Sequence, residues 1–174
     1  MKDPRGNDRD YSEFVAARSN QLYRHAYLLT TSPHGAEDLL QIALAKAYVA
    51  WSRVTRADDP VAYVHGIVTK SFLSERRRRS STELTLAELP DRGATDADPA
   101  QRLALMQALG TLGRLDRAVV VLRYWEDLSL RETAHQLGIS EPAVKNRSLR
   151  ALRSLRELLG EPAALSDSAN GDQR

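Results

Sequence analysis

The 174-residue sequence predicts an all-α protein, two small helical domains joined by a flexible linker. Three observations carry this. Apolar residues recur every three or four positions over most of the chain, as on one face of a helix, and no stretch shows the alternation of a half-buried strand. Residues 80–98 interrupt the pattern with Pro, Gly, Ser, Thr and acids. Helix start and stop residues stand where the periodicity begins and ends.

Residues 1–9 are polar and expected to be disordered. Asp10 or Ser12 caps a first helix over about residues 11–30, with Tyr11, Phe14, Arg18 (through its aliphatic stem), Leu22, Ala26 and Leu29 on one face. Ser32-Pro33 opens a second helix, serine as cap and proline at the first helical position; its stripe is Ala36, Leu40, Ala43, Ala47 and Trp51. A loop covers residues 52–59. Asp59-Pro60 restarts a third helix that runs to the arginines at 76–79, with Tyr63, Ile67, Val68 and Phe72 in the core. These helices make a first domain, residues 10–79.

Residues 80–98 are too polar to bury a core and read as a flexible acidic linker. Fully extended at ~3.3 Å per residue, the linker reaches about 60 Å, nearly two turns of B-DNA at ~34 Å each.

The second domain spans residues 99–160. A helix over 100–112 puts Leu103, Met106 and Leu109 on one face, and Gly113 ends it; the next, over 115–126, turns Val119, Leu122 and Trp125 inward. Ser129 caps a short helix to Leu137, and Glu132 completes a capping box. Gly138 supplies the left-handed stop, Ile139 points back to the core, and Ser140 caps a last helix whose first turn holds Glu141 and Pro142. Val144, Ser148, Ala151 or Leu152, and Leu155 share its inner face. Lys145, Asn146, Arg147, Leu149, Arg150 and Arg153 lie on or near the outer one. Residues 161–174 read as a disordered tail.

Net charge is only +2, but it is unevenly spread. Lys70 and the arginines at 76–79 against Glu75 leave +4 over residues 62–79, and the acids of 80–98 against Arg92 leave −4. Residues 141–156 carry +4 again. Two basic blocks flanking an acidic spacer suit a polyanion held at two points. No apolar run approaches the ~20 residues of a membrane span, and the charged N-terminus is no signal peptide. Membrane insertion is not expected, and a cytoplasmic location follows. Cysteine is absent, excluding disulfides and thiol chemistry. The four histidines share no metal spacing and read as surface or boundary residues. No phosphate loop, paired-carboxylate site or nucleophile elbow appears. The chain is read as no enzyme, with no cofactor and no metal.

The two helices around Gly138 form a helix-turn-helix, whose outer Asn and Arg side chains can bond base edges in the major groove. On spacing alone, a helical hairpin with a solvated basic face fits equally well. The apolar segment LDRAVVVLRYWEDLS before it supplies the supporting helix that a helix-turn-helix domain needs.

With that segment, residues 115–156 resemble region 4 of bacterial RNA polymerase sigma factors of the extracytoplasmic-function (ECF) type, in the sigma-70 family. The likeness rests on Leu122-Arg123-Tyr124-Trp125-Glu126-Asp127, Leu137-Gly138-Ile139-Ser140 and the pattern that follows. Residues 36–53, AEDLLQIALAKAYVAWSR, resemble the region 2 helix that docks on the polymerase β′ clamp helices. The resemblance covers about residues 10–160 in the family's order. It implies a sigma factor that binds core RNA polymerase and directs promoter-specific initiation. Asp38, Gln41, Leu44 and Lys46 would dock on core polymerase. Arg53, Arg56 and Asp58 of the 52–59 loop, with Lys70, Ser71, Ser74, Arg76 and Arg77, would meet the melted minus-10 strand. Ser140, Glu141, Ala143, Lys145, Asn146, Arg147 and Arg150 would meet the minus-35 duplex. The implied partners are core polymerase (β′ clamp helices and β flap), promoter DNA and an anti-sigma factor. The sequence departs from the family at Lys70, where Asn is common, at Pro142-Ala143, where Gly-Thr is usual, and at Asn146, where Ser is usual. Ile42 takes a place often given to an acid. An alternative is a stand-alone helix-turn-helix transcriptional regulator, which has no need of the docking helix. A helical adaptor with a degenerate DNA face is a third reading, and the retained Lys145, Arg147 and Arg150 argue against it.

Overall fold

The computed structural model describes residues 4–75 and 98–160, and these are helices and connecting turns with no strand among them. The chain divides into two units, Met1–Asp96 and Ala97–Arg174.

In the first unit, α1 (Pro4–Thr30), α2 (Pro33–Val49) and α4 (Pro60–Ser74) pack on one another, with the single turn α3 (Trp51–Val54) between α2 and α4. The caps follow the sequence: Ser32 Oγ accepts from the Gly35 N–H at 3.2 Å, and Asp59 Oδ1 from the Ala62 N–H at 3.0 Å. Leu22, Ala26, Leu29, Leu39, Ala43, Val54, Val64 and Val68 are buried. Trp51 is 3% exposed, with the ring edges of Tyr11 and Phe14 on it at centroid distances of 5.3 and 5.2 Å.

This unit corrects the sequence reading in several places. α1 begins at Pro4, so residues 4–9 are helical. A long-range bond holds that extension: the Tyr48 hydroxyl on α2 donates to Asp8 Oδ1 at 2.7 Å. Part of the expected 52–59 loop is the α3 turn. Because α2 packs against both α1 and α4, Leu39 is buried and Leu40 only partly so. Arg18 is exposed. Tyr63 is 37% exposed, because the buried arc of α4 centres on Val64, His65, Val68, Thr69 and Phe72. His25 and His65 are not surface residues: both are buried, stacked at 4.6 Å. His25 Nε2 lies 2.8 Å from Thr69 Oγ1, whose hydroxyl donates to the His65 carbonyl at 3.0 Å.

In the second unit, α5 (Pro99–Thr111), α6 (Arg114–Val120) and α7 (Leu130–Leu137) pack on α8 (Glu141–Leu159). Met106, Leu109, Val119, Leu122, Val144, Ala151 and Leu155 are buried, whereas Leu103 is 40% exposed. Arg117 is 9% exposed, and its Nη2 donates to the carbonyls of Gly110 and Leu112, both at 3.0 Å, at the end of α5.

Trp125 is the main correction here. A 3.6-residue period turns it inward, yet it is 51% exposed. The helix widens at Val121–Trp125 into a π turn, closed by the Glu126 N–H on the Val121 carbonyl at 3.0 Å. The extra residue in that turn shifts the phase of everything after it.

The remaining sequence expectations, for residues 1–3, the arginines at 76–79, the linker as far as residue 97 and the tail 161–174, lie outside the described residues.

Candidate nucleic-acid and polymerase interface

Each unit presents one face that its own core does not use. On α2, burial of Ala36, Leu39, Ala43 and Ala47 fixes the helix's rotation. Asp38, Gln41 and Ala45 are therefore exposed on the opposite side. Steps of three and four residues continue that row to Val49, which is 86% exposed. Tyr48 stands beside it at 45% exposure; accepting its hydroxyl hydrogen, the Asp8 carboxylate pushes the phenol pKa up. Val49 was not among the sequence-derived docking residues, although extending the 38–41–45 row by four positions reaches it.

The other two docking candidates sit differently. Leu44 is half-buried against the Trp51 cluster, and its carbonyl accepts from the Tyr11 hydroxyl at 2.9 Å. Lys46 Nζ donates to Ser71 Oγ on α4 at 2.9 Å. Ser71, which the resemblance would bring to DNA, is 1% exposed, and its hydroxyl accepts this bond from Lys46. Ser74 is exposed, and its hydroxyl donates back to the Ser71 carbonyl. Lys70 is exposed. Arg53, Arg56 and Asp58 are exposed around the α3 turn, with Arg56 Nε donating to the Ser52 carbonyl at 2.7 Å. Arg76 and Arg77 lie outside the described residues.

In the second unit the helix-turn-helix forms as its caps dictate. Ser129 Oγ accepts from the Glu132 N–H at 3.1 Å, and the Ser129 N–H donates to Glu132 Oε2 at 2.8 Å. Those bonds to Ser129 hold the Glu132 carboxyl below its usual pKa. Gly138 adopts φ 67°, ψ 33°, and the Ile139 N–H closes on the Ala134 carbonyl at 3.1 Å. Ser140 Oγ accepts from the Ala143 N–H at 3.3 Å, so it caps α8. Glu141, Pro142, Lys145, Asn146, Leu149 and Arg153 are exposed along α8, and Ala143 is partly so. Leu149, 54% exposed, is an apolar side chain on an otherwise polar face.

Arg147 and Arg150 are not free cations. Asp116 of α6 accepts from Arg147 Nη1 at 2.6 Å, and from Arg150 Nε at 3.1 Å and Nη2 at 2.8 and 2.9 Å. No sequence signal joins residue 116 to residue 150.

A helix-turn-helix with a polar outer face, together with a separate helical unit that leaves one part-apolar helix face outside its core, defines the class as a DNA-binding transcription protein. Comparison with known proteins gives the particular family. Residues 14–82 match sigma-70 region 2, and residues 102–155 match sigma-70 region 4. The chain is 38% identical over 152 residues to the RNA polymerase sigma-E factor of Streptomyces coelicolor (strain ATCC BAA-471 / A3(2) / M145), covering 86% of each. In fold it is similar to the sigma factor RpoE of Bartonella quintana, solved with the anti-sigma factor NepR (TM-score 0.69, 23% identity, 86% of this chain and 96% of that one). It is also similar to CnrH, solved with the cytosolic domain of CnrY (TM-score 0.59, 26% identity, 88% and 90%). The chain belongs to the sigma-70 family of RNA polymerase sigma factors, among those of the ECF type.

Proposed function

We propose that the α2 face of Asp38, Gln41, Ala45 and Val49 docks this sigma factor on the β′ clamp helices of core RNA polymerase. One observation carries this: that row is exposed along the full length of a helix whose opposite side is completely buried. An apolar side chain at 86% exposure, at the end of a row that also carries Asp38 and Gln41, suits a partner helix better than water. α4, with Lys70 and Ser74, and the turn carrying Arg53, Arg56 and Asp58 then hold the melted minus-10 strand. Extracting a base costs a few kcal/mol, so this turn also supplies the receiving pocket. α8 enters the major groove of the minus-35 element along its outer face, from Glu141 to Arg150. The second unit also meets the β flap, and an anti-sigma protein competes for these surfaces. The stand-alone regulator reading leaves the region 2 match over residues 14–82 without a role.

The test mixes the purified chain with core polymerase lacking any sigma factor. Co-elution and run-off transcription over sheared genomic DNA are compared with Asp38→Ala plus Gln41→Ala. Discrete transcripts from the wild type, with docking weakened at least 10-fold in the variant (about 1.4 kcal/mol), are expected. A folded wild-type chain that does not co-elute would overturn the reading.

A further inference from the structure

Asp116 stands on α6, behind the helix proposed to read DNA, and its side chain is only 15% exposed. It holds two arginines of that helix in different ways. Arg147 is drawn inward: a single Nη1 contact at 2.6 Å leaves the side chain 34% exposed. Arg150 is gripped side-on, with Nε and Nη2 on the carboxylate and the side chain still 61% exposed. A guanidinium has five donors in a rigid plane. Side-on pairing uses the Nε edge and leaves the far end, Nη1 with the outer hydrogen of Nη2, as a two-donor fork. Such a fork matches O6 and N7 of guanine. An arginine held by a carboxylate from behind has little rotamer freedom left to lose when it meets a base.

We infer that Asp116 is a specificity-determining positioning residue: it sets Arg150 as a guanine-reading fork and withdraws Arg147 from the phosphates. This rests on the reading that α8 enters the minus-35 groove. Without the carboxylate, both arginines swing freely and pair with whichever phosphates they reach. Affinity then becomes less selective and more dependent on salt, since each added phosphate contact steepens the log–log salt slope by ~0.9.

The test uses holoenzyme assembled from core polymerase and the full chain, on promoters with a randomised upstream element. Base preference and salt slope are measured for wild type, Asp116→Asn, Arg150→Ala and the double variant. D116N and R150A are expected to flatten the preference at the same G·C pair, each by about 10-fold. The double variant should flatten it no further, because one residue acts through the other. D116N, alone or in the double variant, should steepen the salt slope, and R150A alone should not. A wild-type preference left intact by D116N, or lost at a different base pair from R150A, overturns the inference and spares the sigma reading. A wild-type holoenzyme that transcribes with no upstream preference overturns the inference together with the role given to α8. Should D116N fail to fold, Asp116→Glu decides, because it keeps the charge but moves it by a methylene. It should weaken the same preference at an unchanged salt slope, and an intact preference would overturn the inference.

Discussion

Replacing Arg117 by methionine should destabilise the second unit only modestly, and replacing it by lysine should be at least as harmful. The Gly110 and Leu112 carbonyls that Arg117 serves lie at the end of α5, where a helix leaves its last carbonyls without partners. Hydrogen bonds from a charged donor contribute roughly 1.5–3 kcal/mol each, so the pair contributes ~3–6 kcal/mol. Burial works against this. Loss of water, with the nearby Arg114 charge as the lesser cause, brings the guanidinium pKa well below its usual value, to about 10. At 1.36 kcal/mol per tenfold change, that is about 3 kcal/mol of opposing cost. Methionine removes both effects and fills much of the space, leaving a net loss of ~0–3 kcal/mol. Lysine keeps the buried charge but ends one bond short of Nη2, so it retains the cost and loosens the bonds. The assay is urea unfolding followed by Trp125 fluorescence in a Trp51→Phe background, which isolates the second unit's reporter because the chain has two tryptophans. Lysine at wild-type stability beside a methionine loss above ~5 kcal/mol would refute the reasoning. It would mean that the charge itself, rather than its reach to two carbonyls, holds α5 in place.

Two further outcomes follow from the helix-turn-helix. Gly138→Ala adds a Cβ that meets nothing within 4 Å, so its cost is the left-handed backbone alone. That cost is ~1–2 kcal/mol, and Gly138→Asn should lose less, as the unfolding midpoint of the second unit would report. Glu132 contributes stability above its unfolded pKa of 4.5, because its folded value is lower. This stability is lost as pH falls through the folded value, so the wild type's advantage over Glu132→Gln should shrink below pH 4.5 in thermal melts.

What was legible in the sequence was local. Ser32, Asp59, Ser129, Gly138 and Ser140 each act within a few residues of where they stand, and each caps or stops a helix as its type dictates. The buried row of α8 was legible for the same reason: Val144, Ser148, Ala151 and Leu155 repeat at helical spacing. What sequence periodicity missed depends on partners far along the chain. Asp8 meets Tyr48, Lys46 meets Ser71, His25 meets Thr69 and Asp116 meets Arg150. None of these pairs leaves a spacing signal. The outward turn of Trp125 was hidden differently, because a period fixed at 3.6 does not anticipate an added residue in one turn. For the candidate site, the faces were therefore readable, while the division between side chains that are offered and side chains already committed was not.

The bond from Lys46 to Ser71 has a mechanical meaning. It runs from the helix proposed to grip the enzyme to the helix proposed to grip the opened strand, and the two also pack directly. Linked in this way, they have no hinge between them. A polymerase seating α2 as proposed would thereby set α4 at a fixed distance from its own active centre. The unit would then act as a ruler: the distance from the minus-10 element to the first transcribed base would be measured by protein packing.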